Sequence, residues 1–246
     1  MEELISKCKK AKHIMFITGA GVSAASGLPT YRGVGGLYAG KSLLPPEIAM
    51  SKYAWKLMPS LIWKHLHKGY GASSNVVPSI AHDSISLIEA LVDKVTVVTQ
   101  NVDGLHRKAG SSDVIELHGS ADYLICEKCD YQESPDFTSL PKLPKCPKCK
   151  YVLRPPVVLF GENLPENSID RLERALESKP DVVIAVGTSG NFSYVVEPLR
   201  YIREIGGFTA VIDPILSPNL AAFTDLWIKN KAEVILPKLA GALPAC

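Results

Sequence analysis

Two Cys-x-x-Cys pairs carry the most specific chemical signal in this 246-residue chain. Cys126 and Cys129 form the first pair, and Cys146 and Cys149 form the second. This spacing is typical of a zinc ribbon, in which two tight turns offer four thiolates to one tetrahedral zinc ion. Four thiolates leave no open coordination position, so we expect the zinc to be structural. A metal-free thiol cluster or a redox pair is the alternative interpretation.

A glycine-rich turn, Gly19-Ala20-Gly21-Val22-Ser23-Ala24, follows the short apolar segment 13–18. A strand, a glycine turn and a helix start together form a mononucleotide-binding arrangement, in which small residues let the backbone approach a pyrophosphate. Ser23 adds a hydrogen-bond donor, and Arg32 can hold a phosphate. The Lys-Ser/Thr of a P-loop is absent from this turn, which argues against a P-loop nucleotide hydrolase. The glycines alone are weak evidence, because many turns use glycine only for its geometry.

Polar residues follow three further apolar segments that we predict to be strands. Gln100-Asn101-Val102-Asp103 follows the segment 95–99, Gly187-Thr188-Ser189 follows 182–186, and Asp213 follows 208–212. Ligands of open parallel sheets bind at the carboxyl ends of the strands, so these groups suit ribose hydroxyls and a carboxamide. The alternative is that these residues only cap helices or form turns.

His118 is the candidate general base, because it follows the strand-like segment 114–117 and an imidazole titrates near neutral pH. His106 competes with it but falls inside a predicted helix. The apolar run 157–165 has a glycine break and contains Val158, Phe160, Gly161 and Glu162. Such a run can line a channel and offer backbone groups to a peptide, or it can be a plain core strand.

The elements that must position these residues alternate between strand and helix. Apolar strands are expected at 13–18, 95–99, 182–186 and 208–212, and helices at 2–12, 84–92 and 169–178. They predict an α/β fold with a Rossmann-like open parallel sheet and helices on both faces. Residues 1–33, 83–119 and 156–246 would form this domain. Residues 34–82, with helical patches at 48–57, and 120–155, with the zinc ribbon, would form a smaller module.

Composition excludes several classes of protein. The net charge is +2 and the lysines are scattered in short clusters, so we expect no direct nucleic-acid binding. No apolar run reaches membrane-spanning length, so we expect no membrane insertion. Six cysteines, four of them assigned to zinc, suit a reducing compartment. We expect a cytoplasmic location, with the nucleus as the alternative. The oligomeric state is not predicted.

Taken together, these motifs resemble the sirtuins, the NAD⁺-dependent protein deacylases. The resemblance runs from Gly19 to Leu236 and joins the elements Gly-Ala-Gly-x-Ser, Gln-Asn-x-Asp, His-Gly, the two cysteine pairs, Phe-Gly-Glu and Gly-Thr-Ser, in this order. It implies a protein-lysine deacylase that uses NAD⁺ as co-substrate and releases nicotinamide, O-acyl-ADP-ribose and free lysine. An NAD⁺ glycohydrolase or ADP-ribosyltransferase on the same scaffold is the alternative.

The resemblance also implies roles for individual residues. His118 would be the base, Asn101 and Asp103 would orient the ribose and the carboxamide, and zinc would be structural only. Val158, Phe160, Gly161 and Glu162 would hold an acyl-lysine protein or peptide. The implied NAD⁺ contacts are Gly19, Ala20, Gly21, Ser23, Ala24, Tyr31, Arg32, Gln100, Asn101, Val102, Asp103, Gly187, Thr188, Ser189 and Asp213.

Three departures from the family pattern stand out. Tyr31 replaces the usual phenylalanine, Asp213 replaces the usual asparagine, and the loop at 190–194 is longer and less apolar. Ala24 is typical of the branch that removes bulky acidic acyl groups, but the Tyr-x-x-Arg pair of that branch is absent from 62–68. His65, His67 and Lys68 are candidates to replace its cation. We expect acetyl and longer aliphatic acyl groups to be removed well and succinyl groups poorly.

Overall fold

The computed structural model describes residues 1–29, 45–73, 76–134, 136 and 138–244. Within them the strands are β1 (His13–Thr18), β2 (Lys94–Thr99), β3 (Val114–Glu116), β4 (Leu124–Cys126), β5 (Gln132–Glu133), β6 (Leu153–Arg154), β7 (Val182–Val186), β8 (Phe208–Ile212) and β9 (Leu226–Ile228). The helices are α1 (Glu2–Lys10), α2 (Pro46–Ala49), α3 (Lys52–Leu57), α4 (Pro59–Ser73), α5 (Ile80–Glu89), α6 (Leu105–Lys108), α7 (Glu166–Glu177), α8 (Ser193–Glu204), α9 (Pro218–Ala221) and α10 (Ala232–Ala240). A 3₁₀ helix spans Ala20–Ser26.

Six strands form one parallel sheet in the order β3-β2-β1-β7-β8-β9. Every residue of β1, β7 and β8 is buried. Strands covered on both faces read as continuous apolar runs, and for this reason the sequence reveals them so clearly. The predicted α/β fold is confirmed. The strand order reverses between β1 and β7, and an open parallel sheet binds its ligands outside the strand ends at such a point.

Two cores cover the two faces of this sheet. Alternate side chains of a strand point to opposite faces, so Phe16 packs with α1, α5 and α10, whereas Ile17 packs with α7, α8 and α9. Both side chains are fully buried. Burying a large apolar side chain stabilises a fold by about 1.5–3 kcal/mol. The two layers therefore hold the carboxyl ends of the strands rigidly in place.

A third core belongs to the cysteine segment and the helices at 46–73. The strands β5-β4-β6 form an antiparallel ribbon, and Trp55 and Trp63 pack against its residues Leu124 and Leu153. The indole N–H of Trp63 donates to the Leu153 carbonyl oxygen at 2.8 Å. The two insertions therefore share one core. The predicted boundaries between the domains stay a prediction.

The helical patch expected at 48–57 is interrupted. Helix α2 ends at Ala49 and α3 begins at Lys52, because Ser51 leaves the helical conformation. The Ser51 hydroxyl accepts from the Ala54 N–H, and Ser51 forms a β-bridge with Phe160. In the part of the chain that the structure describes, no helix combines the length and apolar character that crossing a bilayer requires.

Candidate active site

A cleft of about 900 Å³ opens at the carboxyl ends of β1, β2, β7 and β8. Its volume lies in the range of small-molecule sites. Fifteen of the predicted site residues line it: Gly19, Ala20, Gly21, Ala24, Gln100, Asn101, His118, Val158, Phe160, Gly161, Glu162, Gly187, Thr188, Ser189 and Asp213. Three other predicted residues do not line the cleft: Ser23, Val102 and Asp103. Tyr31 and Arg32 lie outside the described residues.

The glycines of the first turn allow two strand-end turns to touch. The Gly21 N–H donates to the Gly187 carbonyl oxygen at 3.0 Å. A Cβ at Gly19 would stand 2.7 Å from that oxygen, and one at Gly21 would stand 2.6 Å from the Gly187 Cα. Gly187 itself has a φ of +59°, which favours glycine. These glycines are therefore needed because the backbone of the first turn packs directly on the backbone at Gly187. The two turns together form the floor of the cleft.

Asn101 and Asp103 are joined through Ser23. The Asn101 side-chain N–H₂ donates to the Ser23 hydroxyl at 3.0 Å and to the Gly19 carbonyl at 3.1 Å. The Ser23 hydroxyl donates to Asp103 Oδ2 at 2.7 Å, and Asp103 Oδ1 accepts from the N–H of Leu105, the first residue of α6. The N-cap of α6 is Gly104 rather than Asp103, so Asp103 only bonds the first N–H of that helix from the preceding position, and it also anchors the glycine turn.

His118 follows β3 and faces the cleft. Its carbonyl accepts from the Val158 N–H at 2.9 Å, which places the base beside the segment 157–162. Its Nε2 lies 2.7 Å from the Tyr194 hydroxyl. Burial lowers the pKa of His118, and a hydrogen bond with the Gln100 backbone partly opposes this shift. A neutral imidazole at physiological pH can accept a proton, as a general base must.

His106, the competing candidate, is only 2% exposed and does not line the cleft. Its Nε2 lies 2.9 Å from the Thr18 hydroxyl, and its ring packs edge-on against His82 with 4.7 Å between centroids. Burial lowers the pKa of His106 to about 3. Its side chain supports the fold beneath the strand ends instead.

The segment 157–162 forms the opposite wall. Both backbone groups of Phe160 are already bonded, its N–H to the Met50 carbonyl and its C=O to the Lys52 N–H, each at 3.0 Å. Phe160 therefore offers its ring to the cleft rather than its backbone. Arg154 fixes this wall, since its guanidinium donates to both Glu162 carboxylate oxygens at 2.7 and 2.9 Å. Sequence reasoning did not identify Arg154, whose Arg-Pro-Pro context was the only available signal.

The four ribbon cysteines converge on one point. Their Sγ atoms all lie within 4.8 Å of one another, and the shortest separations are 3.4 Å between Cys126 and Cys149 and 3.6 Å between Cys129 and Cys146. A disulfide would need about 2.05 Å. Four sulfurs at about 2.3 Å from one tetrahedral zinc lie roughly 3.8 Å apart, so the cluster is positioned to bind a zinc ion.

A sequence model of the Sir2 family matches residues 19–194, which hold the first turn, the cleft histidine and the cysteine ribbon. The chain belongs to the Sir2 family. NAD-dependent protein deacylase 2 of Pseudomonas syringae pv. tomato is 40% identical over 245 residues, covering 97% of this chain and 98% of the relative. A protein of the same name from Pseudomonas aeruginosa is 41% identical over 239 residues, covering 94% of this chain and 92% of the relative.

Solved Sir2 structures share the whole architecture. A Sir2 homologue in complex with NAD is 34% identical, with a TM-score of 0.89 over 99% of this chain and 93% of the other. A variant Sir2 homologue in complex with ADP-ribose has a TM-score of 0.90 at 34% identity, over 99% of this chain and 96% of the other. The sirtuin resemblance predicted from the motifs is confirmed.

Two features of this Sir2 chain were not foreseen. The segment 190–194, noted only as a departure from the family pattern, carries two rings that contact His118, those of Phe192 and Tyr194. These two rings stack on each other with 5.2 Å between their centroids. His67, a candidate acyl-binding cation, points instead to the ribbon, with its Nε2 3.1 Å from the Pro141 carbonyl. Neither His65 nor His67 is among the described residues that line the cleft.

Proposed function

We propose that this chain is an NAD⁺-dependent protein-lysine deacylase that converts an acyl-lysine to lysine, nicotinamide and O-acyl-ADP-ribose. One observation carries the proposal. His118, a half-buried histidine whose pKa is lowered by burial, faces the same cleft as the strand-end turns and the segment 157–162. A site that only hydrolysed NAD⁺ would need neither the base nor the second wall.

The names of the relatives support this activity. Proteins covering nearly the whole length of this chain are named NAD-dependent protein deacylases. A variant Sir2 homologue, 34% identical, is described in complex with 2'-O-acetyl ADP ribose, which is the acetylated product of such a reaction.

NAD⁺, when bound, supplies the ribose carbon at which an acyl oxygen replaces nicotinamide. The residues present fit such a ligand, because hydrogen-bonding groups, among them Gln100, Asn101 and Thr188, line the cleft at the strand ends. Asp213 would hold the hydroxyls of the adenosine ribose, although burial raises the pKa of its carboxyl. Asn101, 5% exposed and bonded twice, is rigid enough to orient a bound ribose.

His118 would remove the proton from a ribose hydroxyl so that this oxygen can attack the acyl carbon. The acyl-lysine would enter along the wall formed by Val158, Phe160 and Glu162, which brings it next to the base. The Val158 N–H donates to the His118 carbonyl, which holds the substrate wall next to the base. A positioned base of this kind contributes about 10²–10⁴-fold in rate.

The test is mass spectrometry of zinc-loaded protein incubated with NAD⁺, with and without an acetyl-lysine peptide. We expect nicotinamide release that depends on the peptide, together with O-acetyl-ADP-ribose. His118→Ala should lower product formation by about 10²–10⁴-fold and spare much of the exchange of free nicotinamide into NAD⁺. His67→Ala is the matched control, because that imidazole contacts the ribbon. Equal NAD⁺ consumption without peptide would instead establish the glycohydrolase or transferase activity.

We further propose that acetyl and longer aliphatic acyl groups are preferred over succinyl. Lys231 is the sole lysine or arginine among the described residues that line the cleft, and its Nζ lies 3.8 Å from Glu233. Glu47 lines the same cleft and would repel an acidic acyl group, whereas Arg154 balances the charge of Glu162. A panel of acetyl-, octanoyl- and succinyl-lysine peptides tests this, and succinyl-lysine as the best substrate would refute it.

The partners we propose are acyl-lysine proteins or peptides, without direct nucleic-acid binding or membrane insertion. We propose a cytoplasmic location, because a four-thiolate cluster persists best in a reducing compartment. Fractionation of cells that express the tagged chain tests the location.

A further inference from the structure

Tyr194 places a hydroxyl on the candidate base. Its Oη lies 2.7 Å from His118 Nε2, in the range of a strong hydrogen bond. The Tyr194 ring stands nearly perpendicular to the imidazole at 88° and stacks on Phe192 at 8°. The aromatic pair thereby fixes the direction of the hydroxyl. Both residues come from the segment 190–194, which departs from the family pattern; Phe192 is the N-cap of α8, and Tyr194 lies in its first turn.

The two nitrogens of His118 have different partners. A hydrogen bond with the Gln100 backbone raises the pKa of His118, so the ring donates to the carbonyl there. The second bond, from Nε2 to Tyr194, then needs a donor on the other side, because a neutral imidazole carries one N–H. Burial raises the pKa of the Tyr194 phenol, which therefore keeps its proton. In the tautomer with its proton on the Gln100 side, the O–H of Tyr194 donates to Nε2.

We propose that Tyr194 is a positioning residue for His118. In the free protein the Tyr194 hydroxyl holds His118 in the neutral tautomer whose Nε2 is basic. During the reaction the hydroxyl of tyrosine leaves Nε2, and the ribose hydroxyl takes its place. The catalytic part of this inference rests on the proposed deacylase function, whereas the contact in the free protein does not. The arrangement keeps the base oriented and protected until a hydroxyl of the substrate replaces that of tyrosine.

The charged groups near His118 do not determine which tautomer its imidazole adopts. Among the described residues, the charged side chains that line the cleft are Glu47, Glu162, Asp213, Lys231 and Glu233, and none of these is among the causes of the pKa shift of His118. Two further carboxylates on adjoining elements have partners of their own. Glu116, on the strand that leads to His118, pairs with Arg107 at 3.5 Å, and Asp103 accepts from Ser23.

The experiment follows the His118 imidazole by NMR titration of ligand-free, zinc-loaded protein, with the signal assigned by its loss in His118→Ala. Tyr194→Phe keeps the ring stacking and removes only the hydroxyl. A donor to Nε2 stabilises the neutral imidazole, so we expect the variant to raise the pKa of His118 by about half a unit to one unit. Tyr201 lies on the same helix α8 but packs against the core that contains Ile17, so Tyr201→Phe should leave the pKa of His118 unchanged.

The same variants are then assayed for product formation against pH. We expect the acidic limb of kcat/KM to move upward by the same amount in Tyr194→Phe, while nicotinamide exchange, which does not use the base, keeps its pH dependence. An unchanged or lowered pKa of His118, or an equal shift in Tyr201→Phe, would overturn the proposal. A shifted NMR pKa with an unmoved rate profile would refute its catalytic part. The NMR result stands even if no deacylase activity is found.

Discussion

Acidification should destabilise this protein through His106, a buried histidine that takes no part in the proposed chemistry. Burial lowers its pKa from 6.5 to about 3. A histidine whose pKa is depressed in the folded state binds fewer protons than it does in the unfolded chain. Stability is therefore complete above about pH 6.5 and is lost as the pH falls from there toward 3.

The size of the effect follows from the two pKa values. Each pH unit inside this window costs about 1.4 kcal/mol per histidine. Between pH 7 and pH 5, His106 should therefore lose about 2 kcal/mol of folding free energy. His13, 5% exposed with a pKa lowered by burial to about 4, should lose a similar amount. Together they remove about 4 kcal/mol from a typical total of 5–15 kcal/mol.

Carboxyl groups also titrate near this range, so variants must isolate the histidine. Burial raises the pKa of Glu116 and of Asp213, and this favours the folded state as the pH falls. His106→Asn removes the imidazole and retains a polar side chain toward Thr18. His67→Asn is the control, since His67 bonds the ribbon near the surface.

Urea unfolding at pH 7 and pH 5, with zinc present, gives the free energy of unfolding of each protein. The loss between the two pH values should be about 2 kcal/mol smaller in His106→Asn than in the wild type, whatever the variant costs at pH 7. The control should lose as much as the wild type. Equal losses in all three proteins would refute the assignment of acid sensitivity to His106.

Three further predictions concern the frame of the site. In Gly21→Ala the new Cβ would stand 2.6 Å from the Gly187 Cα. The variant should lower the free energy of unfolding in urea by about 1–3 kcal/mol and weaken NAD⁺ binding measured by calorimetry. Gly241→Ala, whose Cβ would have its nearest atom at 3.4 Å, should change neither quantity. Zinc should bind at one ion per chain. Removing it with a chelator should expose Trp55 and Trp63 to water, which is measured as a red shift of the tryptophan fluorescence. An unchanged spectrum after confirmed zinc loss would contradict the shared core. Arg154→Met should cost about 3 kcal/mol by urea unfolding, because it leaves Glu162 half-buried without its partner, and a cost near zero would show the pair to be dispensable.

The strands and the metal ligands could be predicted from the sequence because their signals are local. A buried parallel strand is an uninterrupted apolar run, so the limits predicted for β1, β7 and β8 match the structure. Two cysteines separated by two residues fix half of a tetrahedral site by themselves. Helices α8 and α10 were not predicted, and each contains an internal proline, Pro198 and Pro237, that weakens a helical pattern.

The contacts within the site could not be predicted in the same way, because they join distant parts of the chain. His118 and Tyr194 are 76 residues apart, and Ser23 and Asp103 are 80 apart. Each pair forms only because the strands of the parallel sheet all end at the same edge. The sequence identified which residues stand at strand ends but not which of them touch. It therefore predicted the contents of the cleft and left its internal hydrogen bonds open.

The ribbon reaches the cleft through Arg154 rather than through the metal. Glu127 stands between the ligands Cys126 and Cys129, and its carboxylate accepts from the Trp55 indole N–H at 2.7 Å and from Arg154 at 3.2 Å. Arg154 holds Glu162, and Glu162 accepts from the Leu159 N–H at 2.8 Å. A zinc ion held by the four cysteines would fix the turn that carries Glu127 and, through Arg154, the wall on which an acyl-lysine would lie. A structural ion that never contacts the substrate can in this way determine how precisely the substrate meets the base.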